Sequence, residues 1–502
     1  MSAGPSPSGP HSVKELVIRG VSWKLVSQVF IQVARVAFAL VLARLLTPED
    51  FGLAAEALVI AGFVIAFSDL GLGAALVQRR EIDERDRSTV FWSGVAVGAL
   101  LTLAGVALAG PIASFYGEPE VESLMAVVSL SFFVSALGAT QRAVLTREMD
   151  FRRLEVCAMA GVVVGGVVSV AGASVGWGPW ALVAQQLTTA VVTTAVLWLV
   201  VSWRPRWMFS LASIRGLGGY GSNVLGTRLV YRAQESALPL LIGRFLGAAS
   251  LGIFTIAYTV ILVPLTRLAI PIGEVLFPAF SRMQDERERA SELWIRALGV
   301  LTAVCAPAMM GLAVVAPDFV EVVLGEQWSE AVPVIRILAW VGLIQALQAW
   351  NGGIFMGLGK ANTLFRATLV FSVLYVAAFL VGVQWGIVGV SVTYAFVATV
   401  LEAAYLWITT RALGIRFWTP LRSLVGVAQA TVVMGLVVAG IQAVLVDQGL
   451  APALRLVAAI VIGILVYVPL LVWRAPVVAA GIRSLRRRPS EPLAVARTAE
   501  RS

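Results

Sequence analysis

The amino-acid sequence predicts an all-α, polytopic membrane protein with about 14 transmembrane helices. Of its 502 residues, 59% are hydrophobic and only 13% are charged, whereas about a quarter of the residues in a soluble domain are charged. Apolar runs close to twenty residues long recur from one end of the chain to the other. Each run is long enough to cross a hydrocarbon core of roughly 30 Å. These observations exclude a soluble protein.

Fourteen apolar runs are predicted to span the membrane, each bounded by charged residues or by Gly, Pro and Trp. The first run is too long for the apolar core of a signal peptide and has no small-residue cleavage site after it, so we expect it to be retained. The predicted spans are residues 20–46, 52–77, 88–114, 121–143, 154–176, 179–203, 217–243, 250–280, 292–316, 331–358, 362–384, 386–410, 421–446 and 453–473.

The spans and the polar termini divide the chain into five predicted segments. They are a disordered cytoplasmic tail at 1–18, an N-lobe of spans 1–6 at 19–211, a C-lobe of spans 7–12 at 212–416, spans 13 and 14 at 417–476, and a basic cytoplasmic tail at 477–502.

The basic residues lie mainly on one side of the predicted membrane. Of 38 Lys and Arg residues, 30 fall at the termini or in the even-numbered loops, and only Arg44, Arg244 and Arg455 fall on the other side. Because Lys and Arg are enriched in cytoplasmic loops, both termini are predicted to be cytoplasmic. The same bias accounts for the net charge of +9, so no nucleic-acid partner is predicted.

The reactive side chains are few and do not cluster. The single histidine, His11, lies in the predicted tail, and Cys157 and Cys305 fall near or within spans. This distribution implies no disulfide framework. We predict no catalytic residue, no metal site and no cofactor.

An internal repeat is visible at an offset of 200 residues. The stretch "ARLLTPEDFGLAAEA" (43–57) matches "GRFLGAASLGIFTIA" (243–257), so that Gly52 corresponds to Gly252. A second match, "WGPWALVAQ" (177–185) with "WGIVGVSVT" (385–393), has an offset of 208. Six spans per repeat is an even number, which predicts a parallel repeat with a substrate site between its halves. Spans 13 and 14 lie outside the repeat.

Charged side chains within the spans suggest where that site lies. In "TRLVYRAQESALPLL" (227–241), Arg228, Arg232 and Glu235 follow spacings of four and three, which places them on one helical face. At the offset of 200 their counterparts in span 1 are Gln28, Gln32 and Arg35. Buried charges are costly and typically line transport pathways. An alternative is that Arg232 and Glu235 neutralise each other within one helix.

With Arg267 of span 8, these residues predict a central cationic cavity. Its predicted substrate-binding residues are Arg35, Arg228, Arg232 and Arg267, accompanied by the polar residues Gln28, Gln32 and Glu235. Guanidinium groups bind phosphate oxygens through two parallel hydrogen bonds and stay charged. An anionic substrate carrying a phosphate or diphosphate is therefore expected.

Three acidic residues are candidates for ion coupling or gating: Asp69, Glu274 and Glu402. Asp69 is also compatible with capping a loop or pairing with a cytoplasmic arginine, and Glu402 with pairing to a nearby arginine. Glu56 lies at the outer end of span 2 and is expected to be hydrated.

Several stretches together resemble the Wzx-type flippases of bacterial polysaccharide synthesis, within a superfamily that includes multidrug exporters of the MATE type. The similarity is closest to the branch that handles capsular and colanic-acid-like polymers. The stretches are "GVSWKLVSQ" (20–28), "LARLLTPEDFGL" (42–53), "SDLGLGAALVQRREI" (68–82), "QRAVLTREMDFRRL" (141–154), "PIGEVLFPAFSRMQD" (271–285) and "LGEQWSEAVPVIRILA" (324–339).

The resemblance implies two six-helix lobes around a cavity that opens alternately to either side. It also implies movement of an undecaprenyl-diphosphate-linked oligosaccharide from the inner to the outer leaflet of a bacterial inner membrane. Membrane lipids, and a polysaccharide polymerase with its chain-length machinery, would be the partners. The family offers no fixed set of functional residues to transfer, so the site residues above rest on burial and on the repeat.

Other functions are less compatible with this sequence. An ion-coupled small-molecule exporter of the MATE type would favour acidic cavity residues, which the excess of arginines opposes. A polysaccharide polymerase or glycosyltransferase would need a sizeable external loop, and the longest, around "APDFVEVVLGEQWSEA" (316–331), has fewer than twenty residues. A structural scaffold would not explain buried arginines. The stretch "GLGGYG" (216–221) follows no strand and is interpreted as helix packing rather than a dinucleotide site.

Overall fold

The computed structural model describes residues 10–68, 72–79, 82–214, 236–262, 280, 282–283, 286–348, 350, 354–355, 361–476 and 478. All regular secondary structure within these residues is helical, as the sequence predicts. Ten helical stretches in this part of the chain are long and apolar enough to cross a membrane. The all-α membrane fold is confirmed, while the exact number of fourteen spans stays a prediction.

Fifteen helices are numbered here along the described residues. They are α1 Pro10–Leu45, α2 Pro48–Ser68, α3 Leu72–Gln78, α4 Glu84–Ala107, α5 Ala109–Tyr116, α6 Glu120–Arg147, α7 Phe151–Ser174, α8 Trp180–Val200, α9 Ser236–Leu262, α10 Arg287–Phe319, α11 Ala331–Gln348, α12 Ala361–Gly382, α13 Gly386–Leu413, α14 Trp418–Asp447 and α15 Pro452–Arg474. A π-helical turn at Val320–Leu324 and two short 3₁₀ turns lie between these helices, and residues 211–214 are also helical.

Local sequence signals set several helix ends. Asp83 caps α4 by accepting a hydrogen bond from the backbone N–H of Asp86 at 2.6 Å, and the Asp86 side chain accepts from the backbone N–H of Asp83 in return. Asp150 caps α7 through the N–H of Arg153 at 3.1 Å. Such caps satisfy amide groups that would otherwise lack partners. Helices α4 and α7 therefore begin within four residues of the predicted spans.

Two segments differ from the sequence prediction. Helix α1 begins at Pro10, inside the stretch predicted as a disordered tail, and proline is favoured at a first helical position. The stretch 316–331, predicted as an external loop, is mostly helical, because α10 continues to Phe319 and the π-helical turn follows it.

The structure divides into two compact units. The first contains Met1–Ala257, Val323–Ala331 and Phe379–Val390, and the second contains the intervening and following residues. The first unit includes parts of the chain that the sequence assigns to the C-lobe. The predicted lobe boundaries stay a prediction.

In the first unit, α2, α5 and α6 enclose a hydrophobic core. Leu124, Met125 and Phe132 of α6 are fully buried there, together with Tyr116 at the end of α5 and Ala57 of α2. Helix α7 packs between α1 and α8. Helix α2 packs mainly against α6 and also touches α4 and α8.

In the second unit, α10, α14 and α15 pack together and share a buried ion pair. Arg455 of α15 donates to Asp318 of α10 at 2.5 Å, and Gln442 of α14 donates to the same carboxylate. Only 14% of the Arg455 side chain and 4% of the Asp318 side chain are exposed. The sequence placed Arg455 on the external side without a partner, since Asp318 lies 137 residues away.

Asp318→Ala is expected to destabilise the protein by about 3–5 kcal/mol, because it leaves Arg455 buried without a counter-charge. The matched control is Glu292→Ala, which removes an exposed partner of Arg296 and should cost no more than about 0.5 kcal/mol. Thermal unfolding of the purified protein in detergent compares the two variants. Equal melting temperatures would show that the buried pair does not anchor α15.

Candidate functional site

The described part of the predicted site is the polar face of α1. Arg35 and Gln28 are exposed and Gln32 is half-buried. Gln28 donates a hydrogen bond to Glu155 of α7 at 3.2 Å. Glu155 is itself buried and was not singled out from the sequence, because its partner on α1 is 127 residues away.

Most of the remaining predicted site residues cannot be placed on this framework. Arg228, Arg232, Glu235, Arg267, Asp69 and Glu274 lie outside the described residues. Their roles stay predictions. Glu402 is described, and it is buried in α13 with 4% of its surface exposed.

A close helix crossing joins the start of α2 to α9 within the first unit. A Cβ atom built on Gly52 would lie 1.7 Å from the carbonyl oxygen of Ala248, and one built on Gly252 would lie 1.9 Å from that of Pro48. The two contacts are related by the offset of 200 in both directions, so the crossing is formed by corresponding residues of the repeat. Only glycine permits the backbones to approach this closely.

The turn before this crossing also follows the repeat. Gly247 has a φ of 80°, in the left-handed region, and lies within the helical stretch of α9 directly before Ala248. Its counterpart at the offset of 200 is Thr47, which lies between α1 and α2. The sequence places a loop between spans 7 and 8 at this point.

A segment from later in the chain covers the end of α1. Trp328 is fully buried, and its indole N–H donates to the carbonyl oxygen of Ala43 at 2.7 Å. The Gln327 amide donates to the same oxygen at 2.9 Å, and the Phe51 ring meets Trp328 edge-on at 5.3 Å. Together with the glycine crossing, these contacts form a closed contact at this end of the helices, called here the helix-end seal.

Glu56 lies one turn beyond Gly52 on α2, and its position corrects a prediction. The sequence predicted a hydrated side chain near the membrane surface. In the structure Glu56 is 0% exposed, because α5, α6 and α9 pack around the start of α2 and exclude water from it.

A polar cluster in the second unit was missed altogether. The Gln345 amide of α11 donates to the hydroxyl of Tyr258 at 3.1 Å and to that of Tyr394 at 3.3 Å. The rings of Tyr394 and Tyr375 lie 5.2 Å apart. Uncharged polar residues in apolar helices were the available signal, although their sequence separation hides their contact.

With this geometry in place, comparisons with known proteins identify the family. A sequence profile described as "Polysaccharide biosynthesis protein" matches residues 41–333, which is more than half of the chain. The chain belongs to this family. The matched region includes the helix-end seal and the buried Glu56.

Three similar proteins align with this chain along most of their lengths. The chain is 29% identical to the lipopolysaccharide biosynthesis protein WzxC of Escherichia coli (strain K12), covering 77% of this chain and 79% of that protein. It is 26% identical to the teichuronic acid biosynthesis protein TuaB of Bacillus subtilis (strain 168), covering 93% and 97%. It is 29% identical to the succinoglycan biosynthesis transport protein ExoT of Rhizobium meliloti (strain 1021), covering 79% and 80%.

Solved structures share the fold. The lipid II flippase MurJ, in an inward closed conformation, superposes with a TM-score of 0.72 at 13% identity, covering 92% of this chain and 99% of that one. An inward-facing multidrug-resistance transporter of the MATE family gives a TM-score of 0.62 at 16% identity, covering 77% and 98%. The polysaccharide biosynthesis family member described here is thus a multi-pass membrane protein with a MurJ-like and MATE-like fold.

Proposed function

We propose that this protein is a flippase that moves undecaprenyl-diphosphate-linked oligosaccharide units from the inner to the outer leaflet of the cytoplasmic membrane. The observation that carries this proposal is its extended similarity to three proteins named for the synthesis of three different polysaccharides, one of them named as a transport protein. The protein acts as a transporter rather than as an enzyme.

The three relatives are named for different polymers, which indicates the part of the cargo that such proteins could recognise in common. Lipopolysaccharide, teichuronic acid and succinoglycan differ in their sugars, so a shared fold must accommodate varied glycans. A lipid carrier with a diphosphate is a feature that such precursors can share. The predicted arginines suit that group, because guanidinium forks bind phosphate oxygens in pairs.

The helix-end seal supports an alternating-access mechanism. Residues that correspond across the repeat meet at Gly52 and Gly252, which suits a contact that forms when two equivalent elements close together and breaks when they part. In the proposed orientation this seal faces outward, and the cargo headgroup enters from the cytoplasmic leaflet. The glycan then crosses through a hydrated cavity while the prenyl tail stays in lipid.

The test of this function is deletion of the gene, followed by analysis of surface polysaccharide and of lipid-linked precursors. Loss of the polymer with accumulation of undecaprenyl-diphosphate-linked intermediates in the inner leaflet is the expected result. Normal polymer with no accumulation would contradict the proposal. An ion-coupled small-molecule exporter would leave both unchanged. Polymerase and chain-length partners stay predictions.

The proposed orientation makes a separate prediction about surface labelling. Single cysteines placed near Glu118, Glu326 and Asp447 should react with a membrane-impermeant maleimide added to whole cells. Cysteines near Arg85 and Arg152 should react only after the membrane is opened, because both lie in predicted cytoplasmic loops. External labelling at position 152 would contradict the proposed topology.

A further inference from the structure

Two polar side chains are enclosed beside the helix-end seal without partners among the described residues. Within the described ranges of the chain, neither carboxylate oxygen of Glu56 has a hydrogen-bond partner, and the hydroxyl of Tyr116 has none either. Glu56 is 0% exposed and Tyr116 is 5% exposed. A buried polar group without a partner loses the hydrogen bonds that it would make to water, so this arrangement calls for a ligand.

Both side chains converge on Gly243 of α9. A Cβ atom at this glycine would lie 3.0 Å from Oε1 of Glu56 and 2.8 Å from Cε1 of Tyr116. Because Gly243 has no side chain, there is room for the carboxyl group of Glu56 beside α9. The neighbouring Arg244 is exposed and lies over the ring of Phe115 at 5.6 Å.

The ionisable surroundings of Glu56 offer it no positive charge in the described structure. Glu118, in the turn between α5 and α6, and Tyr116 of α5 are the groups that act on it electrostatically. An ionised carboxylate enclosed beside a phenol, with the half-buried carboxylate of Glu118 nearby, is unfavourable, whereas the neutral acid has no charge to desolvate. The enclosed side chains of Glu56 and Tyr116 offer a metal cation only three oxygens, fewer than the six or more that hard cations such as Ca²⁺ take.

We propose that Glu56 is a proton-binding site that is occupied when the helix-end seal is closed and empties when the seal opens. Glu56 and Gly52 lie one turn apart on the same face of α2, and both contact α9. Separation of α2 from α9 would admit external water to the carboxyl group. The O–H bond of the acid then breaks, the proton passes to that water, and the carboxylate remains hydrated.

This proposal rests on the alternating-access mechanism proposed above. It adds that the balance between the closed and open states depends on pH. Closing the seal takes up one proton, so acid favours the closed state and alkali the open state. A single linked proton changes the closed-to-open ratio by up to about tenfold per pH unit.

Cross-linking of the seal measures this linkage in the full-length protein. Arg44→Cys and Gln327→Cys, in a background without Cys157 and Cys305, place two exposed thiols across it for a short bis-maleimide. Cross-linking at a fixed short reaction time, corrected for the reactivity of each single-cysteine protein, should fall as the pH rises. Glu56→Gln, which carries no proton to release, should keep cross-linking high at every pH. The control Glu120→Gln, which changes an exposed carboxylate at the start of α6, should behave like the wild type. A pH-independent wild type, or a Glu56→Gln variant that follows pH as the wild type does, would overturn the proposal.

Chemical modification tests the site independently of cross-linking. Dicyclohexylcarbodiimide adds to a protonated carboxyl group in an apolar site and leaves a stable acylurea, which mass spectrometry locates. Glu56 should be modified more at low pH than at high pH, and more than the matched Glu155, which is buried but accepts a hydrogen bond from Gln28. Equal modification of both, or protection by Na⁺ at constant pH, would refute a proton site. If the chain fails to restore polymer export but both assays follow Glu56 as described, the flippase proposal fails while the proton site stands.

Discussion

Gly52→Leu is expected to abolish polysaccharide export, because the new side chain would overlap the backbone of α9. Its Cβ atom would lie 1.7 Å from the carbonyl oxygen of Ala248, too close for any rotamer to relieve. Overpacking typically costs up to about 3 kcal/mol, which would reduce the closed-to-open ratio of the seal by roughly 100-fold. Gly252→Leu should act equally, because its Cβ atom would lie 1.9 Å from the carbonyl oxygen of Pro48.

The matched control for these variants is Gly62→Leu on the same helix. Within the described part of the chain, no atom outside the local helix backbone lies within 4 Å of a Cβ atom built at Gly62. This variant should therefore export polymer normally. Complementation of a null strain, with protein levels checked by immunoblotting, measures export, and bis-maleimide cross-linking between positions 44 and 327 measures closure. Normal export with reduced cross-linking in Gly52→Leu would show that the crossing need not close for transport. Normal cross-linking in this variant would contradict the predicted overlap with α9.

Replacing Arg35, Arg228, Arg232 and Arg267 together by alanine is expected to reduce export to the level of the null strain. We predict that these arginines create a positive potential in the cavity that attracts the diphosphate of the cargo. Outward movement of about two negative charges is favoured by the inside-negative membrane potential by about 4–5 kcal/mol per 100 mV. Without the arginines the headgroup would have to leave water without compensating charge.

The arginine experiment has two internal comparisons. Introducing lysine at positions 228 and 232 of the quadruple alanine variant should restore export only in part, because an ammonium group lacks the paired donors of guanidinium. Arg336→Ala serves as the control, since Arg336 also lies in a predicted span but was not assigned to the cavity. Normal polymer from the quadruple alanine variant, at normal expression, would rule out the substrate-binding role.

The internal repeat shows what a sequence pattern can and cannot predict about contacts. The offset of 200 was visible from a few identities, including Gly52 with Gly252. In the structure these same glycines meet in a reciprocal contact. The sequence could pair the two residues as equivalents, but it could not indicate that equivalents touch, because that depends on how the helices pack.

Glu56 shows where such reasoning failed. Its distance from the end of span 2 predicted a hydrated carboxylate, yet the packing of α5, α6 and α9 encloses it completely. The ion pair of Asp318 with Arg455 is a similar case. The sequence around each residue predicts a charge at the membrane surface. Both side chains are buried only because α10 packs against α15.

The sequence by itself determined the membrane class, the helical secondary structure and the ends of many helices, because these follow from the hydropathy and capping residues of short stretches of chain. Helices α14 and α15, for example, begin and end within three residues of their predicted spans. Only the tertiary structure decided which polar groups lack partners and which surfaces seal. Those properties depend on residues far apart in the chain, such as Glu56 and Gly243, whose contact no local pattern encodes.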